Sequence, residues 1–106
     1  MKINSLSILL VLLASIQISA QRYKDFKQYY DSGQLAVEGE LVSRFKFIEP
    51  EEDDWLKTGT WTMYYEDGSK ALVGTYSRGE NIGEWTAYYT NGEVYLQGKY
   101  EQYYVD

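Results

Sequence analysis

Five carboxylates crowd into six consecutive positions, Glu49, Glu51, Glu52, Asp53 and Asp54, with the chain's one proline, Pro50, among them. Oxygen donors at that density could chelate Ca²⁺, which takes six to eight oxygen ligands. The segment lacks the alternating D-x-D-x-D-G spacing that wraps a loop around the ion, so it reads as a solvated, mutually repelling loop tip. Two carboxylates flanking a cleft could also cleave a glycosidic bond. Most of the acids have a simpler duty: Asp67 stands in a turn, Glu66 and Glu93 flank turns, and Glu84 is placed to face Lys99. The absence of His and Cys removes the usual neutral-pH base, the thiol nucleophile and nearly all transition-metal ligand sets. We therefore expect no catalytic residue, no metal site and no cofactor.

The remaining chemistry is recognition by aromatic side chains. All 12 Tyr, 3 Trp and 3 Phe lie beyond residue 20. Large rings bury much area at little cost in chain entropy, which suits a small domain with no disulfides. Tyr29, Tyr64, Tyr88 and Tyr95 fall on one face of the strands derived below, and they are the candidate binding residues. Exposed tyrosines either cover a sheet surface with the ring while the hydroxyl reaches water, or dock a sugar or polypeptide.

The elements that position these rings follow from an internal repeat. Gly59, Trp61, Thr62, Tyr64, Tyr65, Gly68, Gly74 and Tyr76 recur 24 residues later as Gly83, Trp85, Thr86, Tyr88, Tyr89, Gly92, Gly98 and Tyr100. Nine identities in eighteen positions, Leu72 with Leu96 being the ninth and the rest mostly Gly and aromatics, mark repeated structural units. A weaker copy precedes them, with Phe26 in the Trp position, then Tyr29, Tyr30, Gly33 and Gly39, and Leu41 where the final Tyr stands. The copies span about 26–41, 59–76 and 83–100, with an insertion over 42–58. Within the insertion, Val42 to Ile48 reads as a strand extension and Glu49 to Asp54 as its tip.

Each copy reads as a β-hairpin. Asp67-Gly68 and Asn91-Gly92 are strong type I′ signals, and Ser32-Gly33 takes the same place in the first copy. Two-residue turns there set Tyr65 opposite Lys70, Met63 opposite Leu72 and Trp61 opposite Gly74. They also set Tyr89 opposite Val94, Ala87 opposite Leu96, Trp85 opposite Gly98 and Phe26 opposite Gly39. Glycine across from a ring leaves room for that ring to lie over the backbone, so Trp61 is expected over Gly74 and Trp85 over Gly98. Alternation puts Trp61, Met63, Tyr65, Leu72, Tyr76, Trp85, Ala87, Tyr89, Val94, Leu96 and Tyr100 on a core face. The other face pairs Lys27 with Glu38 and Glu84 with Lys99. The structural repeat residues are thus Phe26, Gly39, Trp61, Gly68, Gly74, Trp85, Gly92 and Gly98, and the fold class is all-β, an antiparallel meander of stacked hairpins in one twisted sheet.

The pattern G-x-W-x-x-Y-Y-x-x-G-x-x-x-x-x-G-x-Y, joined by Tyr76-Ser-Arg-Gly79-Glu-Asn-Ile-Gly83, resembles the MORN-type repeat (membrane occupation and recognition nexus). It is most similar to the bacterial variant labelled a YwqK-like antitoxin-type repeat. The resemblance covers Gly59 to Tyr100 well and Phe26 to Leu41 in part. It implies stacked hairpins in an extended sheet and a role in protein or lipid recognition, with no catalysis.

The N-terminus carries an export pattern. Lys2 gives a positive start, Leu6 to Ala14 an apolar core, and Ser15 to Ala20 a small polar stretch suited to cleavage. We expect residues 1–20 to form a signal helix removed after Ala20, leaving residues 21–106 as the repeat domain in the periplasm or outside the cell. Removing 20 of the 106 residues leaves 86, and the loss of Lys2 takes the net charge from −6 to −7. That acidity disfavours nucleic acid and anionic membrane surfaces, both of which attract Lys and Arg. The expected function is protein–protein interaction or scaffolding, with a protein partner or a second copy as ligand. The alternative is a carbohydrate-binding module that uses the tyrosine row on a glycan.

Overall fold

The computed structural model describes residues 22–101, and the expected signal helix at 1–20 lies outside them. Six strands follow one another: β1 (Tyr23–Tyr29), β2 (Leu35–Ser43), β3 (Trp55–Tyr64), β4 (Lys70–Ser77), β5 (Glu80–Tyr88) and β6 (Val94–Tyr100). They form a single antiparallel sheet in the order β1-β2-β3-β4-β5-β6, an open meander. No helix among the described residues is long and apolar enough to cross a membrane.

The expected register holds through the body of each hairpin. Phe26 pairs with Gly39, Trp61 with Gly74, Met63 with Leu72, Trp85 with Gly98 and Ala87 with Leu96. Near the turns it slips by one residue, so Lys70 faces Tyr64 and Val94 faces Tyr88, where Tyr65 and Tyr89 were expected. The reason is the loop type. Tyr65 N–H donates to Ser69 O at 2.8 Å and Gly68 N–H to Tyr65 O at 3.0 Å, and the third hairpin repeats this with Tyr89, Gly92 and Glu93. Within these three loops only the glycine, Gly33, Gly68 or Gly92, has positive φ, 91° in each. These are three-residue loops, a type I turn closed by a left-handed glycine, in place of the two-residue type I′ turn. Asp67 fixes this form: its Oδ1 accepts from the Ser69 amide at 2.8 Å and from the Ser69 hydroxyl. These bonds hold the Asp67 carboxyl below its ordinary value. A two-residue turn with both central residues left-handed does occur, at Arg78-Gly79 between β4 and β5, where φ is 46° and 90°.

The insertion also departs from expectation. β2 ends at Ser43, and Arg44 to Glu51 is a loop without strand, closed by a 3-10 turn over Glu52–Asp54. Ser43 is fully buried and its hydroxyl donates to Phe45 O at 2.8 Å, which turns the chain out of the sheet. Backbone bonding from Arg44 to Asp54 O, the Arg22–Glu49 ion pair and a bond from Arg78 to Arg44 O tie the loop down. Trp55 opens β3 opposite Ser43, with the Lys24 ammonium 4.2 Å from its ring centroid.

Burial is thin because, among the described residues, no second layer packs on the sheet. Among the described residues the buried apolar side chains are Ala36, Val42 and Trp61, with Ser43, Thr62 and Thr86 buried beside them. The expected core face is correspondingly open toward the last hairpin: Met63, Tyr89, Val94, Leu96 and Tyr100 are all exposed. The cross-strand charges face each other in register, Lys27 with Glu38 and Glu84 with Lys99. No ion pair closes between either set: Glu84 instead accepts from the Gln97 amide.

Candidate binding surface

Two contacts recur at each joint between successive hairpins. The first is an indole over a glycine, and it crosses the joint instead of staying within the hairpin. A Cβ on Gly39 would fall inside the ring of Trp61, and one on Gly74 inside the ring of Trp85. Nothing lies within 4 Å of a Cβ on Gly98. Trp61 and Trp85 therefore cover the glycine of the preceding hairpin, not Gly74 and Gly98 as the register suggests. The cause is a bulge. Between Glu38 and Glu40 the partner strand runs from Thr62 to Thr58, and between Val73 and Thr75 it runs from Thr86 to Ile82. The extra residues include Gly59 and Gly83, whose φ of 72° and 62° few other residues adopt cheaply. The bulge swings the ring toward the earlier strand, where Trp61 Nε1 donates to Glu40 O and Thr58 O, each at 3.1 Å. Trp85 Nε1 donates to Ile82 O at 3.1 Å.

The second contact is a phenol reaching forward. Tyr30 Oη donates to Tyr64 O at 2.6 Å, and Tyr65 Oη donates to Tyr88 O at 2.5 Å. The accepting carbonyl lies three residues beyond the indole in both joints. Tyr30 and Tyr65 were not singled out in the sequence reading as linkers. Their second place in the recurring Tyr-Tyr pair was the available signal.

The rings form one continuous ladder across the sheet. Phe26 to Trp61, Trp61 to Tyr76, Tyr76 to Trp85 and Trp85 to Tyr100 have centroid separations of 5.3, 6.0, 5.1 and 5.9 Å. The last three are edge-on, and such pairs contribute about 0.5–1.5 kcal/mol each beyond area burial. Lys57 extends its ammonium over Trp61 and Tyr76, 5.0 and 5.1 Å from the centroids. Past Tyr100 the ladder meets solvent, at an open groove of about 540 Å³ lined by Leu72, Tyr76, Trp85, Leu96, Gly98 and Tyr100.

The four candidate tyrosines are not drawn together. Tyr29 and Tyr95 are exposed but sit on β1 and β6, the two outer strands. Tyr64 and Tyr88 are half-buried on β3 and β5. Tyr64 donates to the Glu38 carboxylate at 3.2 Å, and burial, followed by that charge, raises its phenol above the usual value. Among the described residues no ring contact joins two of the four, and Tyr95 packs on Tyr89. No cluster of three carboxylates able to hold a metal ion forms among the described residues, in the acidic loop or elsewhere.

A family model described as MORN repeat variant matches the chain three times, at residues 22–42, 57–77 and 82–102, more than half of its length. The chain belongs to the MORN repeat variant family. Each match takes in one hairpin, and the acidic loop falls between the first two. MORN repeats are in general modules of protein and membrane interaction, and the family is generally non-catalytic. No curated protein and no solved structure matches the chain.

Proposed function

We propose that this MORN repeat chain is an exported module that binds another protein at the β6 end of its sheet. One observation carries the proposal: apolar side chains that the fold leaves uncovered gather there. Tyr89 and the alternating β6 residues Val94, Leu96 and Tyr100 are each at least half exposed. A patch of this kind on a small domain marks an interaction surface, and the interaction role general to MORN repeats supports it. Export follows from the residue 1–20 pattern, and it sets the chain apart from the cytoplasmic antitoxin role that the variant's label implies. A net charge of −7 after cleavage makes protein a better ligand than an anionic membrane. The tyrosine row, split between outer strands and half-buried positions, offers a glycan less than the β6 patch offers a polypeptide.

The test uses the processed chain immobilised against envelope and secreted fractions. Wild type retains a defined protein, and a Leu96→Asp, Tyr100→Asp variant with an unchanged circular dichroism spectrum loses it. Failure of the wild-type chain to retain any protein, together with strictly monomeric sedimentation, overturns the proposal. N-terminal sequencing of the exported product is expected to begin at Gln21.

A further inference from the structure

Both joints of the sheet show what a strand must carry in order to add to the hairpin before it. It supplies an indole to the preceding hairpin's glycine, a left-handed glycine two residues earlier to make the bulge, and a carbonyl three residues later to receive a phenol. The third hairpin presents the receiving half of this joint complete and unoccupied among the described residues. Gly98 has open space where a Cβ would point, as Gly39 and Gly74 would without their indoles. Tyr89, the counterpart of Tyr30 and Tyr65, is half exposed and finds no acceptor for its hydroxyl among the described residues. Tyr76 and Trp85 wall the groove that leads to Gly98, and every residue of β6 is exposed.

We infer that the β6 edge is a built receptor site for one extended segment of another polypeptide bearing Gly-x-Trp, which adds as a seventh antiparallel strand. The indole enters the notch at Gly98, and Tyr89 donates to the carbonyl three residues beyond that indole. Main-chain bonds to β6 provide affinity and the notch provides specificity, the division of labour of strand addition. A second copy of this chain is a poor occupant. Its β1 edge, unpaired among the described residues, offers Phe26, whose ring has no N–H to donate, and carries Lys24 where the bulge requires glycine. The inference rests on the protein-binding reading above and specifies its subsite.

The probe is a fluorescein-labelled peptide with the sequence of residues 57–65, Lys-Thr-Gly-Thr-Trp-Thr-Met-Tyr-Tyr, whose single positive charge suits an acidic chain. It is titrated onto the processed chain by fluorescence anisotropy. We expect saturable binding that weakens at least tenfold when the peptide's Trp is replaced by Ala, or when the chain carries Gly98→Ala. Tyr89→Phe weakens it a few-fold. Gly98→Ala adds a methyl into open space, so its circular dichroism and melting temperature match wild type. Absence of saturable binding, or equal binding by Gly98→Ala, overturns the inference. Concentration-dependent self-association abolished by Phe26→Ala also overturns it, by assigning the edge to a second copy. Retention of a natural partner by Gly98→Ala removes the notch while leaving the broader protein-binding reading intact.

Discussion

Trp85 stands opposite Gly98 in the β5–β6 ladder, yet its ring lies over Gly74, across the strand in the other direction. The same displacement sets Trp61 over Gly39. Glycines that look equivalent in the repeat are therefore unequal in stability. Gly74→Ala and Gly39→Ala drive a methyl into an indole and should cost about 1–3 kcal/mol, as overpacking does. Gly98→Ala should cost nothing. Urea unfolding of the three variants checks the ranking, and a Gly98→Ala loss as large as that of Gly74→Ala would contradict it.

The two indoles differ as well. Trp61 is 5% exposed and touches Phe26 and Tyr76, whereas Trp85 is half-buried at the edge of the open groove. Trp61→Ala should approach the 3–5 kcal/mol of a large buried aromatic truncation, with Trp85→Ala falling below it. Equal midpoints in denaturant would count against the burial difference.

Removing one phenolic oxygen at a joint should have a positional effect. Tyr65→Phe deletes the bond to Tyr88 O and should destabilise by about 0.5–1.5 kcal/mol. Tyr89→Phe deletes a hydroxyl with no acceptor among the described residues, so its unfolding midpoint should equal that of wild type. Thermal or urea melts of the pair suffice.

Two groups give stability a pH dependence of opposite sense. The Tyr64 phenol is raised above 10.0 by burial and by Glu38, so folding favours its protonated form. That contribution is complete below pH 10 and is lost as pH climbs through the folded-state value; Tyr64→Phe should flatten this alkaline limb. The Asp67 carboxyl is lowered from 3.8 by its bonds to Ser69, so its contribution is present above 3.8 and is lost as pH falls through the folded-state value. Asp67→Asn should remove that acid limb. Midpoints in urea measured across pH for each variant test both signs.

The meander and the mid-hairpin register were legible because Gly and aromatic residues recur 24 apart and alternation assigns each to a face. The loop type was not, since Asp67-Gly68 satisfies a two-residue turn and a three-residue loop equally well. What decides is the Tyr65 pairing with Ser69, a bond that composition does not reveal. The direction of the indoles was also hidden: a Cα register says which residues are opposite and nothing about which neighbour a long ring leans on. The sign was present in Gly59 and Gly83, two residues before each Trp, where a bulge needs positive φ. The tyrosine row was a projection of alternation, which places Tyr29 and Tyr95 on one face without revealing that the width of the sheet separates them.

The joint between hairpins gives the sheet a sense of travel. At both joints the indole points backward and the phenol forward, so the first hairpin receives an indole and gives a phenol, while the last gives an indole and receives a phenol. Cohesion is then a matter of nearest neighbours, and loss of order should run inward from β6. Amide exchange should be quickest on β6 and slowest where β2 and β3 meet, and a filled notch at Gly98 should slow the whole gradient from its loose end.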